Sequence, residues 1–324
     1  MKMGKRVLLF PGQGSQYIGM GKAFYDSYAE AREVFDLASK VTGIDIAGMC
    51  FEENDQINIT EYTQICMLTE ELALWNVLKS KGFTYDVCAG LSLGEYAAVV
   101  ASGAMSMEDA FKVVRNRGIF MQEAVPTGGA MNAVIGLDPE VIEAVCAEVE
   151  AAGEEAGASA NFPAGLPYVV SVANYNNPKQ TVITGRRDAV EKAASILAEK
   201  GALKCVPLNV SGPFHSKLLE GAGEKLKAVL DEVTLSDIQI PYIANTTANY
   251  VNQKDEIKDL LVRQVSSSVR FTQTIELLVK DGAEEFVEVG PGHTLTGFVK
   301  KIDRSLKTAN VDTMEDFEKY LAEA

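Results

Sequence analysis

The chain has 324 residues, 47% of them apolar, enough for one large or two modest domains around a sizeable core. Its 30 basic and 45 acidic side chains give a net charge of −15, which repels nucleic acid at long range and excludes it as a main partner. No apolar run reaches the roughly 18 residues of a membrane span, the N-terminus lacks a signal-peptide pattern, and five scattered cysteines without a C-x-x-C pair argue against a disulfide framework and a zinc site, so a cytoplasmic protein with core thiols is expected.

The first strand-like run, residues 7–10, leads at once into Pro11-Gly12-Gln13-Gly14-Ser15-Gln16. A dinucleotide fingerprint would need a third glycine where Tyr17 stands, and the P-loop lysine is missing, so a phosphate cradle is disfavoured. Two readings stay open. The segment is either a plain strand-ending turn, or a loop whose glycines let the Gln13 backbone N–H point into a site as an oxyanion donor.

Residues 61–81 carry the longest helix pattern, with Ile65, Leu68, Leu72, Trp75 and Leu78 at three- and four-residue steps along one apolar face. A short β-compatible run around residues 85–89 then meets Gly90-Leu91-Ser92-Leu93-Gly94-Glu95, a G-x-S-x-G elbow in front of an alanine-rich helix pattern over 95–101. Without Cβ atoms at 90 and 94 the backbone can bend sharply. Such a bend lifts the Ser92 hydroxyl toward a helix N-terminus, where an oxyanion is stabilised and the Leu93 N–H is a natural donor. The competing reading is a Gly-Ser turn without chemistry.

The next helix pattern, 107–123, opens with Ser106 as N-cap and Asp109 three residues on. Arg117 falls on the stripe of Ala110, Val113, Val114 and Met121, whereas Arg115 points elsewhere. A guanidinium on a buried face requires an anion. That anion is either a carboxylate of this chain or one on a substrate, gripped in the bidentate manner that arginine allows.

From 128 to 209 the rhythm becomes strand 131–137, helix 139–152 with Asp138 as N-cap, strands 168–173 and 180–184, helix 188–200 and strand 203–208. This is the β-α-β-β-α-β order. An α/β fold is therefore expected, with a largely parallel sheet and a smaller unit inserted over 128–209. Residues 153–167, rich in Ala, Gly and Pro, read as a loop inside it.

A serine nucleophile needs a base, and the chain has 2 histidines. His215 follows Gly212-Pro213-Phe214, and His293 follows Gly290-Pro291-Gly292 after the strand-like run 286–289. Both occupy turns, and spacing alone does not choose between them.

In combination, Pro11 to Gln16, Gly90 to Glu95, Arg115-Asn116-Arg117-Gly118, Phe214-His215 and Glu288-Val289-Gly290-Pro291-Gly292 resemble, in this order, the malonyl-CoA:acyl carrier protein transacylases. The resemblance implies an α/β-hydrolase-like catalytic domain over 1–127 and 210–324, with a ferredoxin-like subdomain over 128–209. It makes Ser92 the nucleophile, His215 its base, and Gln13 and Leu93 the backbone oxyanion donors. Arg117 would hold the malonyl carboxylate, and the main-chain carbonyl of Gln264 would orient the histidine. Asn174 and Asn176 would line the cleft, and Phe214 would leave little room for a methyl branch on the acyl group. The implied partners are malonyl-CoA and the holo form of acyl carrier protein, with no cofactor, no metal, no membrane and a monomeric state. The implied pathway is fatty acid synthesis; a polyketide acyltransferase or a serine thioesterase or esterase would share the same elbow and base.

Two departures from the family pattern stand out. Leu91 occupies the place before the nucleophile where the family usually has histidine, and the loop 153–167 is longer than usual. Lys204, Lys217 and Arg263 are candidates for a basic patch that meets an acidic carrier protein.

Overall fold

The computed structural model describes residues 4–155, 165–210 and 212–323. The strands are β1 (Lys5–Phe10), β2 (Val87–Gly90), β3 (Gly129–Ile135), β4 (Val170–Asn177), β5 (Gln180–Arg186), β6 (Lys204–Pro207), β7 (Tyr242–Ile243), β8 (Tyr250–Val251), β9 (Ala283–Val289) and β10 (Lys307–Val311). They form two sheets. The larger has the order β10-β9-β1-β2-β7-β8 and is parallel except for the final β7–β8 pair. The smaller has the order β4-β5-β3-β6 and is antiparallel throughout. The fold is thus mixed α/β, with the expected β-α-β-β-α-β order in the second sheet: Pro139–Glu155 is the first helix of that unit and Arg187–Glu199 the second.

The parallel strands are short apolar runs because helices cover both of their faces. Leu8, Phe10, Cys88 and Val287 enter one core, while Val7, Leu9, Val87, Ala89 and Phe286 enter the other. This alternation is the two-residue period of a strand expressed as two separate cores. A third core, with Val134, Ile142, Val172, Ile183 and Leu197, lies between the small sheet and its helices. Four of the cysteines are buried thiols and Cys205 is half-buried. No described helix is long and apolar enough to cross a membrane.

The helix Thr60–Ser80 departs from its expected single apolar face. It is buried on nearly every side, polar residues included: Thr63, Gln64, Thr69, Glu70 and Glu71 are all inside. A helix surrounded by neighbours has no solvent face to keep polar, so its sequence periodicity understates its burial. Neither Glu70 nor Glu71 has a hydrogen-bond partner among the described residues. Burial holds both carboxyls well above the ordinary carboxylate range, and for Glu71 the nearby Glu70 and Glu288 add to the effect. The loop expected over 153–167 lies outside the described residues between 156 and 164; Glu155 still belongs to a helix.

Candidate active site

The site forms where the parallel strands end. β1 ends at Phe10 and its chain continues into the Gln13 loop, β2 runs into Ser92, and β9 leads to the turn before Thr294. Such carboxyl-end crevices are where open parallel sheets accept ligands. A cavity of about 180 Å³ opens there, lined among others by Gln13, Ser92, Leu93, Arg117, Asn174, Asn176, Phe214 and His215.

The elbow is built as its glycines suggest. A Cβ at Gly90 would collide with the Gly94 carbonyl group, and one at Gly94 would collide with the Phe10 carbonyl oxygen. Glycine is therefore required at both positions by close backbone approach. Ser92 has φ 53°, a left-handed conformation unusual for a residue with a side chain. It is followed directly by the helix Gly94–Ala101. His215 is also left-handed, with φ 60°.

Ser92 Oγ lies 2.8 Å from His215 Nε2. On the other side of the ring, Nδ1 is 2.9 Å from the Gln264 carbonyl oxygen. A carbonyl only accepts, so Nδ1 carries the proton and Nε2 presents a lone pair to the serine hydroxyl. His215 is 4% exposed, and its pKa is lowered to about 4, first by burial and then by the positive charge of Arg117. The imidazole is neutral at ordinary pH. His293 lies on the exposed surface at the start of the helix Thr294–Ile302 and does not line the cavity.

Arg117 is 1% exposed, on the buried face of the helix Met107–Ala124. Its guanidinium donates to Gln64 Oε1 at 2.7 Å, to Gln264 Oε1 at 3.0 Å and to Ser92 Oγ at 3.1 Å. Its Cζ sits 5.1 Å from the centre of the Tyr96 ring. All of these acceptors are neutral. Arg115 by contrast is paired with Glu61 at 2.8 Å and stacks on Tyr62, so the two arginines of the motif differ in the way their positions on the helix require.

The backbone N–H groups of Gln13 and Leu93 donate to no other described residue. Both residues line the cavity. Two N–H groups without a described partner, on residues that line the same cavity as Ser92, are available as donors to a ligand there. Asn174 and Asn176 also reach the wall from β4, and Asn176 Oδ1 has no partner among the described residues. Phe214, 6% exposed, fills the wall beside His215. Leu91 packs with the second apolar core and lines the cleft, so an apolar surface stands where the family pattern has an imidazole. Lys204 and Arg263 are exposed and belong to no ion pair among the described residues, whereas Lys217 is paired with Glu150.

Several residues that the sequence did not single out complete the site. Gln64 meets Arg117 from the central helix. Glu95 is fully buried, and its Oε2 accepts from Gln264 Nε2 at 2.8 Å and from the Asn245 N–H at 3.2 Å. Burial raises its pKa to about 7, against the pull of those hydrogen bonds and of Arg117. No group of described side chains has the arrangement of a metal site.

A family model described as an acyl transferase domain matches residues 7–316. The malonyl CoA-acyl carrier protein transacylase of Bacillus subtilis is 42% identical over 318 residues, spanning 98% of this chain and 96% of the relative. The crystal structure of MCAT from Streptococcus pneumoniae superposes with a TM-score of 0.91 at 43% identity, covering 99% of this chain and 100% of the other. A malonyl-transacylase solved with a type II polyketide acyl-carrier protein superposes equally well, with a TM-score of 0.91 at 35% identity over 99% of this chain and 100% of its own.

Proposed function

This chain belongs to the acyl transferase domain family, and from that membership and the geometry of its cleft we propose that it transfers the malonyl group of malonyl-CoA, through an ester on Ser92, to the phosphopantetheine thiol of acyl carrier protein. The observation that carries the choice of acyl group is Arg117: a buried guanidinium that hydrogen-bonds only neutral acceptors, feels the Glu95 carboxyl only through space, leaves its Nε without a partner among the described residues, and lies 3.1 Å from the nucleophile's oxygen. A buried cation of this kind is best satisfied by a carboxylate brought in by the substrate.

In the first half-reaction His215 Nε2 takes the Ser92 hydroxyl proton as Oγ attacks the thioester carbonyl. The Gln13 and Leu93 N–H groups stabilise the resulting oxyanion. As the tetrahedral intermediate collapses, the C–S bond breaks and the CoA sulfur takes the proton from His215. In the second half-reaction His215 takes the proton of the carrier's thiol, the sulfur attacks the malonyl ester, and Ser92 leaves with that proton. The Gln264 carbonyl holds the Nδ1 proton, in place of a carboxylate, so the neutral imidazole always presents Nε2 and the imidazolium gives its proton back from Nε2. Asn174 and Asn176 offer amides to the pantetheine arm, and Phe214 limits branching at the acyl carbon.

Thiol must beat water for transfer to prevail over hydrolysis. Met121, Met131, Val182, Leu208, Phe214 and Phe298 give the cleft largely apolar walls, which favours the thiol arm and leaves water poorly bound. We read residues 128–209 as the inserted subdomain that supplies one of these walls, and the cytoplasm, where fatty acid synthesis would use the product, as the site of action. The neighbour solved with a polyketide carrier protein makes such a carrier the second acceptor to compare.

The test is direct. After mixing with malonyl-CoA, mass spectrometry should find a malonyl adduct on Ser92 that is absent from Ser92→Ala, and holo carrier protein should discharge it as malonyl carrier protein. Release of the group as free malonate in the presence of carrier protein would identify a hydrolase instead.

A further inference from the structure

Asn245 stands just behind the nucleophile without lining the cleft, and the steps above make no use of it. It is 3% exposed, yet each of its four hydrogen-bonding groups is engaged. Its Oδ1 accepts from the Ser92 N–H at 2.6 Å, and its Nδ2 donates to the Gly90 carbonyl oxygen at 2.7 Å. One planar amide therefore spans the elbow from the end of β2 to the nucleophile. The residue is itself fixed. Its N–H donates to Glu95 Oε2 at 3.2 Å, and its carbonyl accepts from the Arg270 N–H at 2.9 Å.

The left-handed backbone of Ser92 persists only if its surroundings over-determine it. The hydrogen bonds to Asn245 do so from the protein side, without touching the reacting atoms. They also occupy the Ser92 N–H, which leaves the Gln13 and Leu93 N–H groups as the pair directed at the oxyanion.

We propose that Asn245 is a positioning residue for the transfer reaction, bracing the elbow so that Ser92 Oγ stays aligned with His215 Nε2. This rests on Ser92 being the nucleophile. Aspartate is the informative replacement: its carboxylate accepts the Ser92 N–H but opposes the Gly90 carbonyl, whereas a protonated carboxyl supplies one acceptor and one donor, as the amide does. The charged and titratable groups around it are Glu95, reached through its own N–H and through Gln264, Arg270, which donates its N–H to the Asn245 carbonyl and stacks its guanidinium on Tyr175, Tyr242 beside Glu95, and His215 and Arg117 beyond Ser92. Glu95 titrates in the wild type as well, so rates are read as ratios to wild type at each pH.

The experiment measures the rate at which a fluorophosphonate labels Ser92, together with kcat and KM for malonyl-CoA, in wild type, Asn245→Ala and Asn245→Asp between pH 5 and 8. Asn245→Ala should lose about tenfold or more in labelling rate and in kcat, the loss of a buried hydrogen bond or two, with KM within about twofold. The Asn245→Asp ratio should rise as pH falls. A folded Asn245→Ala that labels at the wild-type rate, or one whose KM alone changes, overturns the proposal. If Asn245→Ala does not fold, an Asn245→Asp ratio that is flat across the range overturns it. Labelling that persists in Ser92→Ala would instead remove the nucleophile assignment.

Discussion

Arg117 Nη2 donates to Ser92 Oγ at 3.1 Å and to Gln264 Oε1 at 3.0 Å, Nη1 donates to Gln64 Oε1 at 2.7 Å, and the buried Nε has no partner among the described residues. The residue that would grip the acyl group thus already touches the atom that would attack it. A charge-assisted hydrogen bond to the malonyl carboxylate contributes about 1.5 to 3 kcal/mol. Arg117→Ala should therefore lose roughly 10- to 100-fold in malonyl transfer while acetyl transfer holds or rises. Arg117→Lys should not restore it, because an ammonium cannot span Gln64, Gln264 and a carboxylate as the planar fork does. Parallel kcat/KM measurements with malonyl-CoA and acetyl-CoA decide; equal losses for both would remove the clamp.

The His215 pKa of about 4 lies well below the imidazole value of 6.5. A base works only when unprotonated, so protonation of His215 itself should slow Ser92 labelling only on approaching pH 4, separate from any change near pH 7 as Glu95 titrates. Arg117→Ala removes the charge that disfavours imidazolium, which moves this acid limb upward. It should stay below 6.5, because burial, the larger cause, is unchanged. In a Glu95→Gln background, which removes the other group that titrates in this range, a limb at 6.5, or one that ignores Arg117, would contradict the arrangement.

Glu70 and Glu71 are buried without partners, with folded-state pKa values above the ordinary 4.5. Below 4.5 the carboxyls are neutral in both folded and unfolded chains. As pH rises, the unfolded chain ionises first and folding loses stability. Glu70→Gln should thus raise Tm little near pH 4.5 and by roughly 2 °C or more at pH 9, where removing one carboxyl also relieves its neighbour. Calorimetry across that range checks it; a gain that shrinks with rising pH would reverse the sign.

Carrier docking should depend on Lys204 and Arg263, which are exposed and belong to no ion pair among the described residues, more than on Lys217, which Glu150 already engages. Lys204 lies on the edge strand β6, beside the exposed apolar Leu203 and Val206. Lys204→Glu should raise KM for carrier protein severalfold with little change in kcat, and the wild-type KM should climb between about 0.05 and 0.3 M salt. A KM indifferent to salt would exclude the patch.

The elbow, the small-sheet order and the buried face of Arg117 were legible because each is a local pattern: a five-residue motif, a run of alternating periods, a helical stripe. The choice between His215 and His293 was not legible in any local pattern, since both follow Gly-Pro turns; the family resemblance named His215, and the three-dimensional path brings it to Ser92. Gln64, Glu95 and Asn245 escaped for a related reason. Gln64 and Glu95 carry no periodic signal that separates them from their helices, and Asn245 meets Ser92 across 153 residues of chain. The strands Tyr242–Ile243 and Tyr250–Val251 are two residues each, too short to leave a period.

Ser92 and His215 both hold a backbone conformation that glycine alone adopts freely. Each contributes strain of about 1 kcal/mol or more, so glycine at either place would relax the chain and abolish the chemistry. A library screened for heat resistance alone would favour such losses. Stabilising this protein therefore requires that selection for turnover accompany selection for folding at these two positions.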